Sequence, residues 1–141
     1  MTLPDSLTFI GNFAFHDCQR LTNVMLPSSI ASIGIFAFAN CDLRSMTIPN
    51  SVTSIGVYAF HDCTRLTNIA IPNSVSSIPN GTFSHCGLTS ITIPDSVTSI
   101  GEGAFAGCIG LANKLGLVIV RNTLFDYVGA AKDVIIPDTV I

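Results

Sequence analysis

The chain has no tryptophan, and charged residues make up only 11% of its 141 positions. Its basic residues, Arg20, Arg44, Arg65, Lys114, Arg121 and Lys132, stand singly along a sequence of net charge −3. No nucleic-acid partner is expected, because affinity for a phosphate backbone needs a clustered basic footprint. Nor does any apolar run approach the ~18 residues of a membrane-spanning helix, so no membrane insertion is expected. The opening Met1-Thr2-Leu3-Pro4-Asp5 lacks the basic and apolar regions of a secretory leader. No two cysteines are spaced C-x-x-C, which removes the usual structural-zinc pattern; no metal and no other cofactor is expected. Scarcity of charge does not mean disorder here, since 48% of the residues are hydrophobic and the length suits one domain with a real core.

What the chain does have is a period. Pro4, Pro27, Pro49, Pro72 and Pro94 are separated by 23, 22, 23 and 22 residues. The same rhythm is kept by Phe15, Phe38, Phe60, Phe83 and Phe105, by Cys18, Cys41, Cys63, Cys86 and Cys108, and by Leu7, Ile30, Val52, Val75 and Val97. The one-residue variation falls between the Cys and the next Leu, Gln19-Arg20 and Thr64-Arg65 against the single Asp42 and Gly87, which marks a surface turn with slack.

The cleanest unit runs from Leu88 to Cys108. Leu88, Ile91 and Ile93 predict a strand that Pro94 stops, Val97 and Ile100 a shorter second one, and Gly101 a turn before Ala104 and Phe105 return inward. Too few residues remain for an α-helix, so a helical or 3-10 turn is expected around Gly103 to Cys108. A single unit cannot bury its apolar face alone; stacked coils, with parallel strands and columns of like residues, can.

The pattern L-x-x-I-x-I-P-x-S-V-x-S-I-G-x-x-A-F-x-x-C resembles the BspA-type leucine-rich repeat, column by column from Thr2 to about Leu111. The resemblance implies an α/β leucine-rich-repeat solenoid: β-rich right-handed coils, a parallel sheet on one face, short second strands and short helical or 3-10 turns. Residues 1–110 read as five regular 22/23-residue repeats, the first incomplete. Residues 111–130 are similar to the divergent hairpin unit of such proteins, and 131–141 to the start of a further, truncated repeat. Both ends look cut, which suggests a piece of a longer array and end-to-end self-association through uncapped termini. The resemblance also implies a cell-surface or secreted setting and a role in adhesion.

Chemistry-bearing groups read differently once aligned by repeat. His16-Asp17-Cys18 and His61-Asp62-Cys63 have the residue types of a nucleophilic triad. Yet the His column elsewhere holds Ala39, Ser84 and Ala106, and the Asp column Asn40, His85 and Gly107, so no enzyme is expected. The cysteines read as a buried thiol column filling small inward spaces. Asn80-Gly81-Thr82 fits a glycosylation sequon but occupies the repeat's turn, with Pro79 in place of the usual Gly.

Binding is assigned to the outward face of the parallel sheet, the surface that repeat proteins use. Its columns are Asn23, Ser45, Asn68 and Ser90; Met25, Thr47, Ala70 and Thr92; and Thr22, Arg44, Thr67 and Thr89. The function expected is a non-catalytic protein-binding or adhesion module with a protein or glycan ligand. The alternative is a structural spacer or substrate-targeting array attached to a larger, possibly enzymatic, protein.

Overall fold

A computed structural model describes residues 1–112, together with the backbone strands Leu117–Val120 and Thr123–Tyr127. The expected restart of the repeat at 131–141 lies outside the described residues. The chain winds as a parallel-stranded solenoid in which each residue meets its counterpart about 22 positions on. The strands are two or three residues long. Phe9–Ile10 (β1), Ser32–Ile33 (β2) and Ser54–Ile55 (β3) form one parallel sheet, in register Ile10 to Ile33 to Ile55. Asn68–Ala70 (β4) pairs with Ser90–Thr92 (β6), and Ser77–Ile78 (β5) with Ser99–Ile100 (β7), both parallel. Isolated parallel bridges, Thr2 to Met25 and Ser45 to Asn68, extend the β4–β6 face toward the N-terminus. Leu117–Val120 (β8) and Thr123–Tyr127 (β9) pair antiparallel.

The column of Ser-Ile strands is interrupted between β3 and β5 for a covalent reason. Gly34 and Gly101 donate their N–H groups to the carbonyls of Ile10 and Ile78 one coil back. The same position after β5 is Pro79, which has no N–H to give.

The expected helical turns are not there, and the α/β label is not met. Among the described residues the one helical element is a 3-10 turn at Ile109–Leu111. The stretch from Gly to Cys in each coil is a run of turns in which alternate N–H groups go to different places. Ala14, His16 and Cys18 donate within the coil, to Gly11, Phe13 and Phe15. Phe13, Phe15 and Asp17 donate to the next coil, to the carbonyls of Ile35, Ala37 and Ala39 at 2.8–2.9 Å. A helix would claim every N–H for itself; here half of them stitch coil to coil. The backbone reaches this arrangement by entering the left-handed region twice per coil, at Phe13 and Asp17, Phe36 and Asn40, Tyr58 and Asp62, Gly81 and His85, Gly103 and Gly107.

The core is a set of columns rather than a cluster. Phe15, Phe38, Phe60, Phe83 and Phe105 stack with centroids 5.1–5.8 Å apart and planes within 10°. The rings of Phe38 to Phe105 are fully buried, in one core with the equally buried columns Leu43, Leu66 and Leu88 and Ile30, Val52 and Val75. Beside them, Cys41, Cys63, Cys86 and Cys108 each point a sulfur at the carbonyl of the phenylalanine one coil back, at 3.0–3.2 Å. The thiol column is thus more than filler: a small S–H donor ties neighbouring coils where a larger side chain would not fit. All five cysteines are unbridged.

Candidate functional site

The nine residues singled out from sequence, Asn23, Met25, Arg44, Ser45, Thr47, Asn68, Ala70, Ser90 and Thr92, are all exposed. The strand geometry explains why. In β4 Ile69 is buried between exposed Asn68 and Ala70, and in β6 Ser90 and Thr92 flank Ile91, so alternation sends one set outward. Register places Asn68 beside Ser90, Ala70 beside Thr92 and Ser45 beside Asn68. Two shallow depressions lie on this face. One of about 420 Å³ is lined by Asn23, Met25, Ser45 and Thr47; the other, of about 340 Å³, by Thr47, Ala70 and Thr92 with Asn50 and Asn73. Arg44, Asn68 and Ser90 line neither of them. The face offers hydroxyls and amides with one exposed sulfur-bearing anchor, Met25, at 65% exposure.

The His-Asp-Cys runs are not assembled into a reactive set. Cys63 is buried and donates its S–H in a hydrogen bond to the Phe38 carbonyl at 3.2 Å. Asp17, Asn40, Asp62, His85 and Gly107 share a left-handed backbone, φ 56–71°, which is why that column alternates among the residue types that tolerate it. His61 has its Nδ1 2.7 Å from Ser84 Oγ and its Nε2 3.2 Å from Asp62 Oδ2, an order of groups found in hydrolases. The serine hydroxyl, however, donates to the Gly81 carbonyl at 2.9 Å and is only 5% exposed, so it is a tie within the turn stack. The sequon is structural as well. Asn80 Oδ1 accepts the Glu102 N–H, and the buried Thr82 hydroxyl donates to the Pro79 carbonyl.

Burial pushes the Cys41 thiol up to about 12, with the neighbouring Cys63 adding to it, and raises Cys86 well above its ordinary value for the same reason. Both thiols therefore stay protonated, as an S–H donor must. Because the folded values exceed the unfolded value near 9.0, the stability they contribute is intact below pH 9 and is lost as pH climbs toward 12. The thermal midpoint is expected to fall across that window, less steeply in Cys41→Ala. Native protein should also protect its buried thiols from iodoacetamide until it is unfolded; fast labelling of Cys63 or Cys86 in the native state would contradict the burial.

A surface that periodicity did not single out lies on the turn edge. Phe13, Phe36 and Tyr58 form a second aromatic column, stacked at 5.3 and 5.0 Å, outside the core. Phe13 is 55% and Tyr58 37% exposed. His16 and His61 stand edge-on to these rings, with His16 5.7 Å from Phe13 and His61 5.5 Å from Tyr58. All three aromatics have φ between 52 and 58°, where a bulky side chain costs roughly 1–2 kcal/mol. Two stacked pairs return only about 0.5–1.5 kcal/mol each. The turn itself asks for no aromatic, since Gly81 and Gly103 fill the same place in later coils. The signal was present in the sequence as Phe13, Phe36 and Tyr58 at 23 and 22 residues, but the column lapses into glycine at Gly81 and so lacks the five-fold regularity of the core marks.

The family model for the BspA-type leucine-rich-repeat region matches residues 1–112 in six copies. The chain belongs to the BspA-type leucine-rich-repeat family. Solved bacterial leucine-rich-repeat proteins share the coil path. A leucine-rich-repeat protein of Bacteroides ovatus is 38% identical with a TM-score of 0.80, over 98% of this chain and 37% of that one. The T. pallidum leucine-rich-repeat protein is 38% identical with a TM-score of 0.75, over 79% and 53%. A leucine-rich cell surface protein of Faecalibacterium prausnitzii is 31% identical with a TM-score of 0.56, over 79% and 39%. This chain thus spans about a third to a half of the length of these relatives. No protein of curated function matches it.

Proposed function

We propose that the chain is a non-catalytic protein-binding or adhesion module of a cell-surface leucine-rich-repeat protein, engaging a protein or glycan through the outward face of the β4–β6 sheet. The observation that carries the reading is the register of that face. Asn, Ser and Thr side chains recur in line from coil to coil, exposed and close together, over two shallow depressions. Such a surface makes many weak hydrogen-bonding contacts, and affinity grows with the number of coils engaged. The surface setting draws support from the F. prausnitzii relative, which is described as a cell surface protein.

The test is retention on immobilised extracellular-matrix proteins and cell-surface glycans. Thr47→Arg, on the border shared by both depressions, with Asn68→Arg, between Ser45 and Ser90 on the same face, introduces bulk and charge without touching a buried position. Retention is expected to drop at least tenfold, about 1.4 kcal/mol, with the thermal midpoint unchanged. Undiminished retention would remove binding from this face and favour a spacer or targeting array within a longer protein.

A further inference from the structure

We propose that the aromatic column Phe13, Phe36 and Tyr58, with the acidic groove beside it, is a second docking surface, and that it takes a basic, proline-rich extended segment of a partner protein. The groove, about 500 Å³ in volume, is lined by Asp17, Asp42 and Asp62 with Gln19, Asn40 and Thr64, and by no lysine or arginine. It adjoins the rings through the histidines: His16 touches Phe13 on one side and Asp17, at 3.2 Å, on the other, and His61 repeats this with Tyr58 and Asp62. Ring edges and carboxylates thus run side by side, one imidazole apart. The cation already present, Arg65 on Asp42 at 2.9 Å, is an exposed pair, which water and competing cations readily exchange.

Shape selects the occupant. Rings stacked at 5.0–5.3 Å present a ridge of aromatic edges beside the polar groove, and exposed aromatic surfaces are what polyproline-II segments dock against, losing little entropy on binding. Asp17 and Asp62 are two coils apart, roughly 10 Å at the spacing of hydrogen-bonded strands. A polyproline-II helix returns the same side every three residues, about 9.3 Å. Basic residues three positions apart would therefore meet Asp17 and Asp62, their aliphatic stems lying along the ring edges and the intervening prolines packing against those edges. This surface is distinct from the sheet face, and the two stand or fall separately.

The probe is a fluorescently labelled (Arg-Pro-Pro)4 peptide, titrated with the whole chain and followed by anisotropy. Saturable, salt-sensitive binding is expected, at least tenfold tighter than for (Glu-Pro-Pro)4 or for the flexible (Arg-Gly-Ser)4. Phe36→Gly with Tyr58→Gly should weaken it at least tenfold while keeping the fold, because glycine already serves this turn position at Gly81 and Gly103. Asp17→Asn with Asp62→Asn should do the same without touching the rings, and Thr47→Arg on the sheet face should leave binding unchanged. Absence of saturation, equal binding of the Arg-Gly-Ser peptide, or full binding by the aromatic double variant would each overturn the proposal. So would retention of a neutral glucan that the same double variant loses, which would make the surface a glycan site.

Discussion

Phe60→Ala is expected to lower the unfolding free energy by about 3–5 kcal/mol, the range for removing a fully enclosed ring. Phe60 is fully buried and stacks on Phe38 at 5.5 Å and on Phe83 at 5.4 Å, so its loss removes two ring contacts as well as leaving a void. The void cannot collapse easily, because the Phe60 N–H donates to the Thr82 carbonyl and the Phe60 carbonyl accepts the Cys86 thiol at 3.0 Å, tying its backbone at both ends to the following coil. A solenoid couples mainly to its neighbours, so the effect should appear as loss of cooperativity at the centre of the array. Urea unfolding would show a midpoint shift together with a shallower transition. The contrast is Phe36→Gly, also a ring deletion from a stack, which relieves a left-handed backbone and should change stability by no more than about 1 kcal/mol. Equal losses in the two variants would contradict the difference in burial and backbone strain between the two columns.

The second large effect is expected at Gly56, for a reason of spacing rather than volume. A Cβ at this position would stand 2.5 Å from the Ile35 nitrogen and the Gly34 carbonyl carbon. These are backbone atoms of the adjacent coil, with no flexible side-chain end to yield. Gly56→Ala should therefore wedge two coils apart and cost about 3 kcal/mol or more, at the upper end for overpacking. Gly11 is the internal control, since nothing lies within 4 Å of a Cβ built there, and Gly11→Ala should be close to neutral. Thermal melting of the two variants side by side decides it; a neutral Gly56→Ala would show that the coils can spread.

A repeat makes some features of its fold legible and hides others. The Phe, Cys and Pro columns are readable because each needs one residue type in every coil, and that constraint repeats at 22/23 positions. Alternation along Asn68, Ile69 and Ala70 likewise reveals which strand residues face out. The turn conformation was harder to read. The spacing from Gly101 to Cys108 leaves room for one helical turn, and nothing in the residue types says that every second N–H will leave the coil. That depends on the neighbour: Phe15, Phe38 and Phe60 donate outward only because Ala37, Ala59 and Thr82 lie opposite. The aromatic ladder was hidden for a similar reason. Phe13, Phe36 and Tyr58 look like ordinary apolar residues until the left-handed backbone turns them outward.

The sequence by itself determined the period, the inward columns, the outward sheet residues and the family, because each of these is a local demand that recurs with every coil. Only the tertiary structure decided that the coils close through stacked turns, that the thiols tie to phenylalanine carbonyls, and that His61 meets Ser84 from the next coil. Those contacts join residues 22 to 26 positions apart, and a one-coil repeat cannot state its own relation to the coil above it.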